Sequence, residues 1–220
     1  MGRLLLVRHG QASDLRGVYD QLSARGMVQA EHVGVRLFSR DAPIDRVYVG
    51  PLKRHVQTLA GARLKYPDLP EAISTPALDE HQGELILKGA LKEGDGGHGD
   101  LNLPRLLGDS MRAWAREKRV FPGVTEPFEA FRARCAQAVQ DILGESRAAR
   151  AKTVAVFTSG GVVGAAVGAC LELSDAHTVE LCFMVDNAAI TELLFSSAGK
   201  VTLRTFNDTS HLPRDQVTPL

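Results

Sequence analysis

The chain has 220 residues, of which 44% are hydrophobic and 24% charged, and its 26 basic and 26 acidic side chains cancel. This composition excludes intrinsic disorder and fibrous repeats, and the zero net charge provides no overall field to attract nucleic acid or an anionic membrane. We therefore expect a single domain over residues 1–220, in which any anion site is a local cluster of charge.

The cysteines and the N-terminal residues indicate a cytoplasmic protein. Cys135, Cys170 and Cys182 lie outside any CxxC spacing, which argues against a disulfide framework or zinc site and favours buried thiols in a reducing compartment. The apolar run over 4–7 is too short for a secretory signal, and the longest uncharged stretch, 154–171, is interrupted by turn residues. We expect neither export nor membrane insertion.

The first half of the chain contains two predicted strand and helix units. Arg3 to Val7 is an aliphatic run that predicts a buried strand, and Asp45 to Val49 predicts a second one. Helical spacing follows each strand, from the N-cap Ser23 through Phe38 and from Leu52 to Tyr66. The apolar positions on these helices are Met27, Ala30, Val33 and Leu37, then Val56, Leu59 and Leu64.

The second half begins with a looser pattern between about Gly83 and Gly123, where a glycine cluster predicts an insert or lid. The elements expected beyond it are a helix from Glu126 with Phe128, Phe131, Cys135, Val139 and Ile142 on one face, a central strand over Thr153 to Phe157, a helix over Gly160 to Leu171, and a hairpin of Ala188 to Phe195 with Val201 to Phe206. Together these elements predict a three-layer α/β fold, in which helices flank a mixed, mostly parallel sheet with an antiparallel edge.

Polar residues follow three of the predicted strands. Arg8-His9 ends the first strand, Arg54 comes shortly after the second, and Ser159-Gly160 follows the strand at 153–157. Ligands of open α/β sheets bind at the carboxyl ends of the strands, where these residues would meet. Guanidinium groups suit phosphate oxygens, and the backbone N–H groups at a helix N-terminus favour an anion. The sequence therefore predicts a phosphate-binding pocket.

His9 is the predicted nucleophile of this pocket. A neutral imidazole between guanidinium groups can attack phosphorus, because nearby cations disfavour its protonation and stabilise the charge of the transferring group. A leaving alkoxide also needs a proton. Glu80 is a candidate acid if partial burial raises its pKa, and Asp79 and Glu84 compete for that role.

The motifs resemble those of the histidine phosphatase superfamily, which has the phosphoglycerate mutase-like fold, over nearly the whole chain. Arg8-His9-Gly10 matches the RHG signature of that family. Residues 22–30 resemble its LSxxGxxQA helix start, and residues 51–58 resemble its PLxRAxQT segment. Asn187 to Thr191 is similar to the start of a strand near the family's site.

The resemblance implies the roles of the site residues. His9 becomes phosphorylated, Arg8 and Arg54 clamp the phosphoryl group, and Glu80 is the proton donor and later the base for water. It implies a metal-independent phosphomonoesterase of the histidine acid phosphatase type, without a cofactor, acting on a small phosphorylated substrate or a phosphoprotein. We expect hydrolysis rather than mutase chemistry because residues 11–14 do not resemble the segment that follows RHG in the glycolytic mutases. A monomer or a homodimer is expected.

The largest departure from the family is Ser159, which stands where the resemblance implies a second histidine. Ser159 and Gly160 remain the expected phosphate ligands, but a hydroxyl carries no positive charge. Losing one preorganised donor typically costs on the order of 100- to 1,000-fold in rate, so weakened activity is expected. His55 replaces the usual small residue after Arg54, and the segment at Glu80 is one residue short before its glycine.

The remaining histidines are expected to be peripheral. His55, His81 and His98 are spaced irregularly and give no metal pattern, so they are predicted to lie mostly at the surface. His32, on the first helix, is expected to be structural or solvated.

Two alternatives stay open at this point. Ser159, Asp186 and His211 have the Ser, Asp, His order of α/β-hydrolases, although Phe157 stands where the nucleophile elbow needs glycine. The second alternative is a degenerate phosphatase that binds a phosphorylated ligand without turnover, which Ser159 would explain. Substrate choice would be made by the predicted lid.

Overall fold

The structure is a computed structural model that describes residues 1–13, 20–94 and 102–219. Its strands are β1 (Gly2–Arg8), β2 (Arg46–Val49), β3 (Ala72–Ser74), β4 (Thr153–Thr158), β5 (Ile190–Phe195) and β6 (Val201–Asp208). Its α-helices are α1 (Ala24–Phe38), α2 (Lys53–Lys65), α3 (Gly83–Lys92), α4 (Leu103–Arg116), α5 (Phe128–Ala148), α6 (Gly160–Cys170) and α7 (Asp175–Met184). Short 3-10 helices cover Pro76–Leu78 and Arg214–Gln216.

The strands form one six-stranded sheet in the order β3-β2-β4-β1-β5-β6. The first four strands in this order run parallel, β5 runs antiparallel to β1, and β6 runs antiparallel to β5. The predicted mixed, mostly parallel sheet is confirmed, and so is the hairpin at the antiparallel side. The strand over residues 153–157 is central, as predicted, because β4 lies between β2 and β1.

β1 shows why the fold has three layers. Successive side chains of a strand point to opposite faces of the sheet. Leu4 and Leu6 accordingly belong to the larger core, which includes residues of α3 to α7, whereas Leu5 and Val7 belong to the smaller core with residues of α1 and α2. A strand buried on both faces needs apolar side chains at every position, which explains its uninterrupted aliphatic run.

The predicted burial pattern is correct for α5 but only partly for α1 and α2. All five apolar positions predicted for the face of α5 are buried, whereas Met27, Val56 and Leu64 are 36%, 49% and 64% exposed. The reason is that α1 and α2 meet through small residues rather than through these large ones. A Cβ atom added to Gly34 would lie 2.2 Å from the carbonyl oxygen of Ala62.

The close approach of α1 and α2 leads to a prediction about glycine substitutions. Gly34→Ala should destabilise the protein by about 1–3 kcal/mol, because backbone has to move to accommodate the methyl group. Gly144→Ala, within α5, is the matched control, since nothing lies within 4 Å of its added Cβ. It should stabilise by about 0.5–1 kcal/mol through helix propensity. Urea unfolding measures both, and equal effects would contradict this account of the helix contact.

The region predicted as an insert, about 83–123, contains two helices that the sequence pattern did not predict. Ile86 of α3 and Met111 of α4 are completely buried, and Trp114 of α4 is 3% exposed. The insert is therefore packed into the larger core. The residues at 95–101, which include part of the glycine cluster and His98, lie outside the described residues.

Two further predictions concern the cysteines and membrane insertion. Cys135, Cys170 and Cys182 are all free thiols, and Cys135 and Cys182 are buried. Over the described ranges, no helix combines the length and the apolar composition that crossing a membrane requires.

Candidate active site

The backbone of His9 is held on one side by β4 and on the other by the residues that precede β5. Its N–H donates to the carbonyl of Thr158 at 2.9 Å, and its carbonyl accepts the N–H of Ala188 at 3.0 Å. Ala188 has φ +59°, in the left-handed region that alanine rarely adopts. The carboxyl ends of β1 and β4 and the start of β5 thus meet around His9, which is 4% exposed.

Gly10 connects this strand end to the first two helices. A Cβ atom at Gly10 would lie 2.4 Å from the carbonyl oxygen of Gly26, so that only glycine fits without backbone movement. The N–H of Gly10 donates to Thr58 Oγ1 at 3.1 Å, and this hydroxyl in turn donates to the carbonyl of Arg54 at 2.7 Å. The β1 loop and α2 are therefore in direct contact through Thr58.

The His9 ring is held with Nε2 as the acceptor nitrogen. Arg54 Nε–H points at His9 Nε2 over 3.1 Å, and a guanidinium can only donate. His9 Nδ1 consequently carries the proton and donates to the carbonyl of Gly10 at 2.8 Å. Burial, reinforced by the positive charges of Arg8 and Arg54, holds the pKa of His9 well below its ordinary value. The ring is therefore neutral and has a lone pair on Nε2.

Two buried guanidinium groups flank this imidazole, since Arg8 is 5% and Arg54 6% exposed. Arg8 donates to the carbonyl of Val185, and its Nε would lie 3.3 Å from a Cβ atom added at Gly160. Arg54 is paired with Asp20, whose Oδ1 is 3.4 Å from the guanidinium. Asp20 also accepts the backbone N–H of Lys53 at 3.0 Å and so binds the first turn of α2. Sequence reasoning missed Asp20, which matches none of the quoted motifs.

Glu80 reaches the site from the segment before α3. Its Oε2 accepts the N–H of Gly161 at 3.1 Å, and its Oε1 accepts the N–H of His81 at 3.0 Å. An added Cβ at Gly161 would lie 2.2 Å from Oε1, so the carboxylate lies directly on the first turn of α6. The two competing acids are elsewhere: Asp79 accepts the N–H of Glu80, and Glu84 pairs with Lys88 on an exposed face.

The pKa of Glu80 is shifted in the opposite direction to the one considered from sequence. Burial on its own raises it, but the nearby His81 and Arg54 and the two backbone N–H donors outweigh burial. The net result is a pKa below the ordinary value for glutamate. Glu80 is therefore an ionised carboxylate at neutral pH.

Ser159 is the N-cap residue of α6, but its hydroxyl does not cap the helix. Ser159 Oγ instead lies 2.6 Å from Nε2 of His55, and both residues are completely buried. The rings of His55 and His9 are 5.7 Å apart between centroids. The prediction that His55 is a surface residue is wrong. The available signal was the pairing of two departures, a histidine gained after Arg54 and a serine at the position expected to hold one.

His81 is also less peripheral than predicted. Its side chain is 15% exposed and packs 5.9 Å from the ring of Trp114 and 5.6 Å from that of Phe131, between centroids. The insert thus contacts the residue that follows Glu80. His32, by contrast, is partly exposed on α1.

The three residues of the α/β-hydrolase alternative do not form a triad. The hydroxyl of Ser159 is bonded to His55, whereas His211 Nε2 donates to the carbonyl of Ala188 at 3.1 Å. Asp186 Oδ2 accepts the side-chain amide of Asn207 at 2.9 Å. His211 is therefore not hydrogen-bonded to Ser159 and cannot act as the base that would activate its hydroxyl.

Two polar residues of the family-like motifs have structural contacts. Gln29 accepts the N–H of Gln11 at 2.7 Å and donates to the carbonyl of Gln216 at 2.6 Å. Asn187 donates to the carbonyls of Thr218 at 3.1 Å and Pro219 at 2.8 Å. Both side chains thus hold the C-terminal segment, residues 216–219, through hydrogen bonds. Gln29 also holds the loop that follows β1.

The chain matches the histidine phosphatase superfamily (branch 1) over residues 4–209. A search of curated protein sequences finds no significant match. Solved structures of the same fold include a phosphoserine phosphatase from Entamoeba histolytica, in complex with 3-phosphoglyceric acid. It is 22% identical over 97% of this chain and 100% of its own, with a TM-score of 0.69.

Two further structures are similar over most of their length. A phosphoglycerate mutase from Bacillus anthracis is 18% identical over 96% of this chain and 94% of its own, with a TM-score of 0.68. An alpha-ribazole phosphatase from Shigella flexneri is 23% identical over 94% of this chain and 96% of its own, with a TM-score of 0.63. These likenesses confirm the predicted phosphoglycerate mutase-like fold.

Proposed function

We propose a function from the premise that the chain belongs to the histidine phosphatase superfamily (branch 1). The chain hydrolyses a phosphomonoester through a phosphohistidine intermediate on His9. The observation that carries this proposal is the state of the His9 ring, a buried neutral imidazole whose Nε2 lone pair points at the Arg54 guanidinium over 3.1 Å. A nucleophile beside two buried cations is what transfer of an anionic phosphoryl group requires.

In the first step, His9 Nε2 attacks phosphorus, and the bond between phosphorus and the ester oxygen breaks. Arg54 turns from Nε2 to the phosphoryl oxygens, which releases the lone pair, and Arg8 clamps the same group with Ser159 and Gly160. The leaving alkoxide takes a proton from Glu80. The carboxylate of Glu80 takes up that proton from solvent as the substrate binds, because the negative charge of a bound phosphate raises the pKa of a neighbouring carboxyl.

In the second step, water attacks the phosphorus of phosphohistidine. Glu80, now ionised again, takes a proton from that water, and the bond between nitrogen and phosphorus breaks. His9 returns to its neutral form and inorganic phosphate leaves. One carboxyl thus acts as acid and then as base, and the N–H groups of His81 and Gly161 hold it in position and stabilise its ionised form.

A small phosphorylated molecule or a phosphoprotein is the proposed class of substrate. Structures of the same fold include phosphatases named for phosphoserine, glucosyl-3-phosphoglycerate and alpha-ribazole, beside the phosphoglycerate mutase, and these phosphatases support the proposal of hydrolysis. Trp114 of the insert contacts His81, next to Glu80, and this contact supports the proposal that the insert touches the alcohol part of a substrate.

Hydrolysis of p-nitrophenyl phosphate tests the proposal. We expect steady release of p-nitrophenol and, after rapid denaturing quench with 32P-labelled substrate, up to one acid-labile phosphate per chain on the peptide that contains His9. Binding of inorganic phosphate without turnover would favour the degenerate alternative. Hydrolysis of p-nitrophenyl acetate at Ser159, without phosphatase activity, would favour the α/β-hydrolase.

A further inference from the structure

The proposed mechanism leaves the His55–Ser159 pair without a detailed role. Both side chains are completely buried, and they are joined by a hydrogen bond of 2.6 Å between Nε2 and Oγ. The pair lies beside the nucleophile, because the His9 N–H donates to the carbonyl of Thr158, the residue before Ser159. The His55 ring is 5.7 Å from the His9 ring between centroids.

The hydroxyl of Ser159 does not make the hydrogen bond to the helix backbone that an N-cap serine normally makes. An N-cap hydroxyl usually accepts the N–H of the second or third helical residue. Here the second residue of α6, Gly161, donates its N–H to Glu80 Oε2 at 3.1 Å. Ser159 Oγ therefore has His55 as its bonded partner and keeps further capacity, since a hydroxyl can donate one hydrogen bond and accept others.

The other side of the His55 ring is closed by Gly50. A Cβ atom added there would lie 2.3 Å from Nδ1 and 2.9 Å from Cε1 of His55. The missing side chain at position 50 is what allows the imidazole to fit between β2 and Ser159. Gly50 and Ser159 thus lie on opposite sides of the ring, and Nε2 faces Ser159, the residue that follows β4.

We propose, on the basis of the function proposed above, that His55 is a positioning residue that aims the Ser159 hydroxyl at a phosphoryl oxygen bound at His9. In the proposed state with phosphate bound, Nε2–H of His55 donates to Ser159 Oγ, and the Ser159 hydroxyl donates to the phosphoryl oxygen. Both dipoles point their positive ends toward the anion, so each hydrogen bond strengthens the other. The imidazole of His55, on α2, thereby acts through Ser159 at the end of β4, where the sequence led us to expect a histidine.

The charged groups around His55 favour a neutral relay over a second cation. Arg54 and His9 face it from α2 and β1, and Glu80 and Asp20 provide opposing negative charge. Burial, together with Arg54, lowers the pKa of His55 to about 3. The ring then carries one proton. The contact with the Gly50 backbone favours that proton on Nδ1 when no anion is bound, with the Ser159 hydroxyl donating to Nε2, so the proposal requires the proton to be on Nε2 once phosphate is bound.

A double-mutant cycle tests whether His55 acts through Ser159. Ser159→Ala and His55→Leu should each lower kcat for p-nitrophenyl phosphate on the order of 100-fold, as for loss of one preorganised donor. The double variant should be no slower than the slower single variant, because both remove the same hydrogen bond to phosphate. Effects that multiply, or single variants with the kcat of the unmodified protein, would overturn the proposal.

Two additional variants separate positioning from a packing role. His55→Gln keeps an N–H donor near the position of Nε2 and should recover at least about tenfold of the kcat lost in His55→Leu. Combining His55→Ala with Ser159→His moves the imidazole to the other position and should exceed His55→Ala alone. If Gln and Leu are equally slow with unchanged melting temperatures, and the relocated imidazole restores nothing, His55 does not position Ser159.

The chain provides a matched control in a second serine and histidine pair. Ser174, the N-cap residue of α7, is 2.9 Å from His177 Nδ1 at an exposed site. The cycle of Ser174→Ala and His177→Leu should leave kcat unchanged. If the unmodified protein shows no turnover, the proposed function fails, and the same four-variant cycle is measured on the affinity for inorganic phosphate. Equal, non-additive losses of affinity support the relay, and unchanged or additive affinities overturn it.

Discussion

Replacing His9 with alanine should abolish phosphatase activity while phosphate binding persists. Loss of a covalent nucleophile typically lowers kcat by about 10⁴- to 10⁶-fold, because no phosphoenzyme can form. Arg8 and Arg54 stay in place, since Arg8 is held by the Val185 carbonyl and Arg54 by Asp20. The measurements are kcat for p-nitrophenyl phosphate, acid-labile 32P per chain, and phosphate affinity by calorimetry.

His177→Ala is the control for the loss of an imidazole, because this histidine lies in an exposed pair on α7. It should retain full kcat and the same amount of acid-labile phosphate. A His9→Ala protein that keeps kcat within tenfold, or that still traps phosphate on histidine, would place the nucleophile elsewhere. If phosphate affinity also disappears, the arginines depend on the His9 ring for their position.

The strand ends were predictable because they depend on short-range information. The aliphatic run of β1 identifies a strand buried on both faces, and its parallel pairing with β4 places Arg8 opposite Thr158. His9 and Ser159, the next residues, then have to be neighbours at one edge of the sheet. The Arg54 position followed from a motif whose Thr58 contacts both the Arg54 carbonyl and Gly10.

The location of His55 was not predictable in the same way. Its burial depends on the absence of a side chain at Gly50, which follows β2, and on the small side chain of Ser159, which follows β4. The spacing of apolar residues within α2 gives no information about the space between Gly50 and Ser159 that the ring occupies. The exposed Val56 and Leu64 have the same origin, because the face of α2 that is buried was decided by the small residues of α1.

The direction of the pKa shift of Glu80 could likewise not be predicted from the sequence. Burial and hydrogen bonding act on a carboxyl in opposite directions, and their balance depends on the number of donors that reach it. The N–H groups of His81 and Gly161 come from different segments, and their convergence on one carboxylate is a property of the packed structure. A raised pKa would have required burial without the nearby charges of His81 and Arg54 and without these donors.

Replacing Glu80 with glutamine should convert steady turnover of p-nitrophenyl phosphate into a burst. p-Nitrophenolate leaves without a proton, so phosphorylation of His9 needs no acid and continues. Attack of water on phosphohistidine loses its base, which typically costs about 10²- to 10⁴-fold. We therefore expect about one equivalent of p-nitrophenol per chain, followed by a slow phase, with the phosphoenzyme accumulating during the slow phase. Stopped-flow absorbance and quenched 32P labelling measure the two quantities.

An alkyl phosphate distinguishes the two roles of Glu80, because its alkoxide needs a proton to leave. With this substrate Glu80→Gln should show no burst and no phosphoenzyme, since the first step is also slowed. Glu84→Gln is the matched control, because its carboxylate pairs with Lys88 at 2.6 Å on the exposed face of α3. A burst with Glu84→Gln or Asp79→Asn, and steady turnover with Glu80→Gln, would assign proton transfer to one of these neighbours. A burst of equal size with both substrates would mean that another group protonates the leaving oxygen and that Glu80 acts as base alone.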